Sequence, residues 1–145
     1  MTVESPPSPS PPVPKIAIGA VVIDDSVSGE PRILLVRRAR PPMQGCWSLP
    51  GGRLEFGERI EDGLRREILE ESGLEVAVGP LIEIVETIAP PYHYVILDYV
   101  CRRTGGVLRA GDDASDVVLI CPEECGHYEV TDAVLRVVGK ALTMR

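Results

Sequence analysis

Three glutamates, Glu67, Glu70 and Glu71, lie close together in the stretch Arg66-Glu67-Ile68-Leu69-Glu70-Glu71-Ser72-Gly73-Leu74. On a helix turning about 100° per residue, Glu70 and Glu71 fall roughly 60° and 40° to either side of Glu67. All three therefore share an arc of about 100°, the i, i+3 and i+4 neighbourhood. Carboxylates this close repel one another, and a shared cation offsets the repulsion. An all-oxygen donor set suits Mg²⁺ or Mn²⁺ better than zinc, which prefers nitrogen and sulfur. Such a site points to chemistry on phosphates. Metal ions bridging phosphate oxygens neutralise charge, position the leaving group and make water a better nucleophile.

The acids need a helix that presents them and a turn that faces them. On the same wheel Ile60, Leu64 and Ile68 form an apolar stripe, so the acids stand on the shoulder of the buried face. The spacing predicts a helix from about Arg59 to Ser72, with Glu61 and Asp62 complementing the dipole in its first turn and Gly73 as its stop. The glycine-rich turn Gly51-Gly52-Arg53-Leu54-Glu55-Phe56-Gly57-Glu58 precedes it. A glutamate-rich helix taken alone is ordinarily a solvated face. The joint pattern is far more specific: Gly52, five residues, Glu58, seven residues, Arg66-Glu67, an aliphatic, one residue, Glu70-Glu71, one residue, then Gly73 and an aliphatic. With Trp47-Ser48-Leu49-Pro50 ahead of it, this stretch resembles the signature of the Nudix hydrolases.

The resemblance covers Lys15 to the end, and it implies an α/β/α sandwich with a mixed β-sheet. It implies that Glu67, Glu70 and Glu71 ligate Mg²⁺ or Mn²⁺, with the backbone carbonyl of Gly51 as a further ligand, and that Arg66 pairs with helix carboxylates to hold them in ligating rotamers. Glu58 either reaches the metal or caps the helix. Arg37, Arg38 and Arg40 precede the loop Pro41-Pro42-Met43-Gln44-Gly45; strand alternation sends Arg37 and Arg38 to opposite faces, and the resemblance favours Arg38 for the phosphates. Relatives often carry a glutamate in the loop matching Ala110 to Asp116, as base or extra metal ligand. The matching residues here are the shorter aspartates, Asp113 first and Asp116 second. Tyr92, His93 and Tyr94 offer stacking and hydrogen bonds to a base or ribose. The pattern around His93-Tyr94-Val95 and Leu108 to Asp112 looks most like relatives that are ADP-ribose pyrophosphatases.

The rest of the chain sets bounds. With 145 residues there is room for one domain with a full core. A formal charge of −7 argues against binding long nucleic acids, yet a diphosphate can be held by metals and a few arginines. The same acidity leaves little means of holding a bare triphosphate. Cys46, Cys101, Cys121 and Cys125 lack a disulfide-framework spacing and read as reduced thiols of a cytoplasmic protein; Cys121, Cys125 and His127 are poorly spaced for zinc. Residues 1–14 form a proline- and serine-rich tail outside the domain, with neither a secretory signal nor a membrane span anywhere in the sequence.

Strands are expected at Ile16–Ile23, Ile33–Val36, Val76–Val78, Leu81–Ile88 after a break at Gly79-Pro80, Tyr94–Val100 and Val117–Ile120. A last helix is expected to start at Thr131 as N-cap and bury Val134, Leu135, Val138 and Leu142. The fold class is α/β (α+β). The expected activity is Mg²⁺-dependent cleavage of a nucleoside diphosphate linked to X, resembling ADP-ribose. A nucleoside triphosphate pyrophosphatase is the alternative, and a noncatalytic nucleotide sensor a third reading. The expected partner is a small nucleotide, with a homodimer left open.

Overall fold

The structure is a computed structural model that describes residues 11–26, 29–41, 43–111 and 113–145. Most of the proline-rich tail and Asp112 lie outside the described residues. Two long strands anchor the fold. β1 (Lys15–Asp24) runs parallel to β6 (Tyr92–Gly106) through a register that places Gly19 beside Asp98. β2 (Arg32–Arg38) and β4 (Gly51–Arg53) pair antiparallel with β1, β3 (Trp47–Ser48) and β7 (Ala114–Ile120) pair with β2, and β5 (Leu74–Ala89) pairs antiparallel with β6. The result is one mixed seven-stranded sheet.

β1 is apolar on both faces because both are covered, as a continuous apolar run predicts. Ile18, Ala20 and Val22 pack against Leu64 and Ile68 of helix α1 (Ile60–Ser72). Val21 and Ile23 pack against Val137, Val138 and Ala141 of helix α2 (Asp132–Met144) on the other face. The three layers are thus helix, sheet, helix. Cys101 lies in the first core and Cys125 in the second. Among the described residues no helix is long and apolar enough to cross a membrane.

Two expectations are refined. The break at Gly79-Pro80 is absent: β5 continues through it with register shifts between Val78 and Leu81. β5 ends the strand order, so Pro80 removes a donor where a missing hydrogen bond costs little, and a bulge absorbs the irregularity. In α2 the buried positions are Val137, Val138 and Ala141, while Leu135 is exposed. The stripe runs through Val134, Val137, Val138 and Ala141, at i, i+3, i+4 and i+7, and Leu135 falls outside it. Thr131 does cap this helix, its hydroxyl accepting from the Val134 N–H at 3.3 Å. At the end of α1, Gly73 adopts φ 75° and its N–H donates to the Leu69 carbonyl.

Candidate active site

The turn and the acidic helix meet across β4. Glu67 lies so close over Gly52 that a Cβ there would come within 2.5 Å of its carboxyl carbon and 2.6 Å of both oxygens. A side chain at this position would push the Glu67 carboxylate off the turn, so glycine here lets it stay where Arg66 holds it. Glu71 is 8% exposed, and its Oε2 accepts from the Gly51 N–H at 3.1 Å. Burial, only partly opposed by that hydrogen bond, pushes the Glu71 carboxyl up to about 8, with the neighbouring Glu67 adding to the rise. Burial also raises Glu67, against the pull of Arg66.

Arg66 is the organiser. Its guanidinium binds Glu58 through Nε at 2.6 Å and Nη2 at 2.9 Å, and Nη1 reaches Glu67 at 2.8 Å and Glu70 at 3.3 Å. The two-pronged contact with Glu58 is the strong form of such a pair. It holds the Glu58 carboxyl down at about 2, and the pairing raises Arg66 further above its ordinary range. Glu58 also accepts from the Glu55 N–H, so it ties the turn to the helix through Arg66.

Of the three acids on the expected arc, Glu67 and Glu71 line one cavity, and Glu70 does not. Helix geometry explains the division, because Glu70 is four residues beyond Arg66 and binds it. Among the described residues no three acidic, cysteine or histidine side chains stand together as a closed metal cage.

That cavity, about 530 Å³, is also lined by Arg38, Arg40, Arg53, Glu55, Tyr94 and Asp113. Arg38 stands close enough to Glu71 to favour its charged form, whereas Arg37 turns outward and donates to the Gly45 carbonyl. Asp113 pairs with Arg40 at 3.0 Å near the mouth, and its charge raises both Glu67 and Glu71. Asp116 accepts from the neighbouring Val117 N–H and does not line this cavity.

A second cavity of about 370 Å³ joins the first through Arg38, Leu49, Gly51, Gly52, Arg53 and Tyr94. It opens between the sheet and the start of α2, and it is largely apolar, with Trp47, Val85, Ile96, Val134 and Val137 in its walls. Tyr94 stacks with Tyr92 at 6.2 Å between centroids. His93 faces the other way along β6 and lines neither cavity, because alternation separates it from Tyr94. Sequence reasoning assigned no role to Arg53, Trp47 or Asp98, all of which line the cleft. For Asp98 the signal was present: one carboxylate inside the apolar run Tyr94–Val100.

The NUDIX domain family matches residues 13–136. The chain belongs to the Nudix family. Similar proteins include an ADP-ribose pyrophosphatase of Methanocaldococcus jannaschii, 37% identical over 67% of this chain and 59% of the relative. Human 8-oxo-dGDP phosphatase NUDT18 is 33% identical over 77% of this chain. This Nudix chain spans 59% of the first relative's length and 34% of the second's. Among solved structures, a MutT NUDIX hydrolase from Burkholderia pseudomallei matches with a TM-score of 0.73 at 28% identity, covering 88% of this chain and 98% of that one. The Nudix signature of this chain therefore lies on the turn and helix just described, Gly52 to Leu74.

Proposed function

We infer that this cleft hydrolyses the phosphoanhydride of a nucleoside diphosphate linked to a second group, X, in a cytoplasmic setting. The observation that carries the reading is the charge of the larger cavity. Among its described lining residues three arginines, Arg38, Arg40 and Arg53, face four acids, Glu55, Glu67, Glu71 and Asp113. That balance is too acidic for a polyphosphate unless divalent cations enter with it.

The residues fit such a cation. Glu67 and Glu71 offer oxygen donors only, and burial already disfavours their charged forms, a cost that a bound cation relieves. Glu67, Glu71 and the Gly51 carbonyl are proposed to hold Mg²⁺ or Mn²⁺, with Glu70, now paired with Arg66, as the third carboxylate. When bound, the cation neutralises the diphosphate and lowers the pKa of water. Arg66 fixes Glu67 and Glu58 in place. Arg38, which lines both cavities, is placed to hold the phosphate nearest the nucleoside. Asp113, at the mouth, is proposed as proton acceptor or further ligand. The apolar cavity, with Tyr94 at its entrance, takes the base or ribose.

A diphosphate conjugate suits this arrangement better than a triphosphate, because it brings less charge and a second organic group to hold. The relative named for ADP-ribose supports that class, and the 8-oxo-dGDP of the other shares its nucleoside diphosphate core without the second group. The test is a hydrolysis screen over ADP-ribose, nucleotide sugars, nucleoside diphosphates, dinucleoside polyphosphates and triphosphates with Mg²⁺, Mn²⁺ or excess chelator. The expected result is metal-dependent release of a nucleoside monophosphate from the diphosphate class. Binding without turnover would move the chain to the noncatalytic sensor reading.

A further inference from the structure

The floor of the apolar cavity holds a carboxylate that the hydrolytic machinery does not use. Asp98 is 5% exposed and lines that cavity among aliphatic and aromatic neighbours. Its side chain lies on the α2 face of β6, the face that Val100 also presents to the α2-side core. Among the described residues neither a backbone N–H nor a side chain donates to it, and the raised position of its acid, about 6, comes first from burial and then from Glu83. Glu83 sits opposite Asp98 in the β5–β6 register, and Arg136 and Lys140 of α2 both bind Glu83. The carboxylate is accommodated because its partner in β1 is Gly19. A Cβ on Gly19 would collide with Asp98 Oδ1. A carboxylate without donors in an apolar enclosure costs free energy, and such a group is expected to find its partners in a ligand.

We propose that Asp98 is the base-selecting residue of the cleft, accepting hydrogen bonds from a purine edge that presents two adjacent N–H donors, as guanine does. The cavity size lies in the ordinary range for small-molecule sites, about 300–1,000 Å³, and its apolar walls suit a flat heteroaromatic ring. An ionised carboxylate offers two acceptor oxygens side by side and no donor. The N1–H and 2-amino group of guanine match both. Adenine offers one donor beside the N1 lone pair, which the second oxygen repels. Discrimination of this kind is strong because the wrong base leaves the buried carboxylate unpaired. The inference rests on the proposed function for where the phosphates lie, and it makes the base guanine-like where the ADP-ribose resemblance would have adenine.

Trp47, the single tryptophan, lines the same cavity and supplies the probe. Titration of the full-length chain with GMP, AMP and IMP in excess chelator, read by Trp47 fluorescence, measures base selection alone. None of the three has a phosphoanhydride, so the readout survives even if the hydrolytic reading is wrong. GMP is expected to bind at least tenfold more tightly than AMP. IMP, which keeps N1–H but lacks the 2-amino group, should fall between them. In Asp98→Asn, whose amide pairs one donor with one acceptor, the GMP preference should disappear or invert. A wild-type GMP preference under tenfold, IMP equal to GMP, or an Asp98→Asn protein with the wild-type ratio would each overturn the proposal. The IMP comparison needs no variant, so it holds even if Asp98→Asn does not fold.

Discussion

The two ends of the cleft treat their acids in opposite ways. At the box end, Glu58, Glu67 and Glu70 converge on one guanidinium, and Glu71 takes a backbone N–H. Each acid there has a partner that fixes its rotamer. At the apolar end, Asp98 has a glycine beside it and no donor among the described residues, while the cations of α2 go to Glu83. Groups that must hold one geometry through a reaction are clamped by protein. A group that reads a ligand is left for the ligand to complete. Chemistry and selection are thereby separable, and substitutions at the two ends should move different kinetic quantities.

The largest effect is expected at the box. Glu71→Gln should lower kcat by roughly 10²–10⁴-fold, the range for loss of an essential proton-transfer group, and abolish the metal dependence of what remains. Its Tm in chelator should be unchanged or higher, because the variant no longer buries an acid that burial disfavours. Full activity would remove Glu71 from the chemistry. Arg66→Lys comes next. A single ammonium cannot reproduce the fork that spans Glu58, Glu67 and Glu70, so apparent metal affinity and kcat should fall about 10- to 100-fold, the usual cost of losing an outer-shell partner. Metal titration of initial rates measures this, and an unchanged midpoint would show that the clamp is ornamental.

At the other end, Ala133→Phe at the start of α2 fills part of the apolar cavity. It should raise KM about tenfold, or about 1.4 kcal/mol, with kcat nearly constant and the metal midpoint unchanged. A fall in kcat alone would mean that the two ends do not divide the work. The smallest effect is on stability. Glu83 is held down at about 2 by Arg136 first and Lys140 second, against an ordinary value of 4.5. Its folded value is depressed, so its contribution is present above about pH 4.5 and is lost as pH falls towards 2. Glu83→Gln should lower Tm by a few degrees at neutral pH, and the two melting curves should converge near pH 2. Curves that stay parallel would show that the clamp on α2 adds nothing.

What the sequence disclosed follows the range of the interactions. The box was legible because its residues lie on one turn and one helix, where spacing alone fixes who faces whom; Arg66 could be placed beside Glu70 by counting. The three-layer fold was expected from the family resemblance, and the unbroken apolar run of β1, covered on both faces, agrees with it. The wheel grouped Glu70 with Glu67 and Glu71, and its separation from the cavity was not legible because it depends on Arg66 competing for that carboxylate. Asp98 stood out only as one carboxylate in an apolar run; its meaning depends on Gly19, 79 positions earlier, arriving beside it through a parallel pairing. Nor could the burial of Val137 in place of Leu135 be fixed until α2 was laid on the sheet. His93 shows the same limit, since Tyr92-His93-Tyr94 reads as a cluster in sequence and alternation divides it between two faces.

Cleavage of a nucleoside diphosphate conjugate with a divalent cation is the reaction proposed for this cleft. Steady-state kcat/KM for diphosphate conjugates and for triphosphates of the same base, at matched free Mg²⁺, tests it most directly. The expected result is a higher kcat/KM for the conjugate, with activity abolished by excess chelator. A triphosphate that wins by tenfold or more, about 1.4 kcal/mol in transition-state binding, would contradict it and make this chain a triphosphate pyrophosphatase.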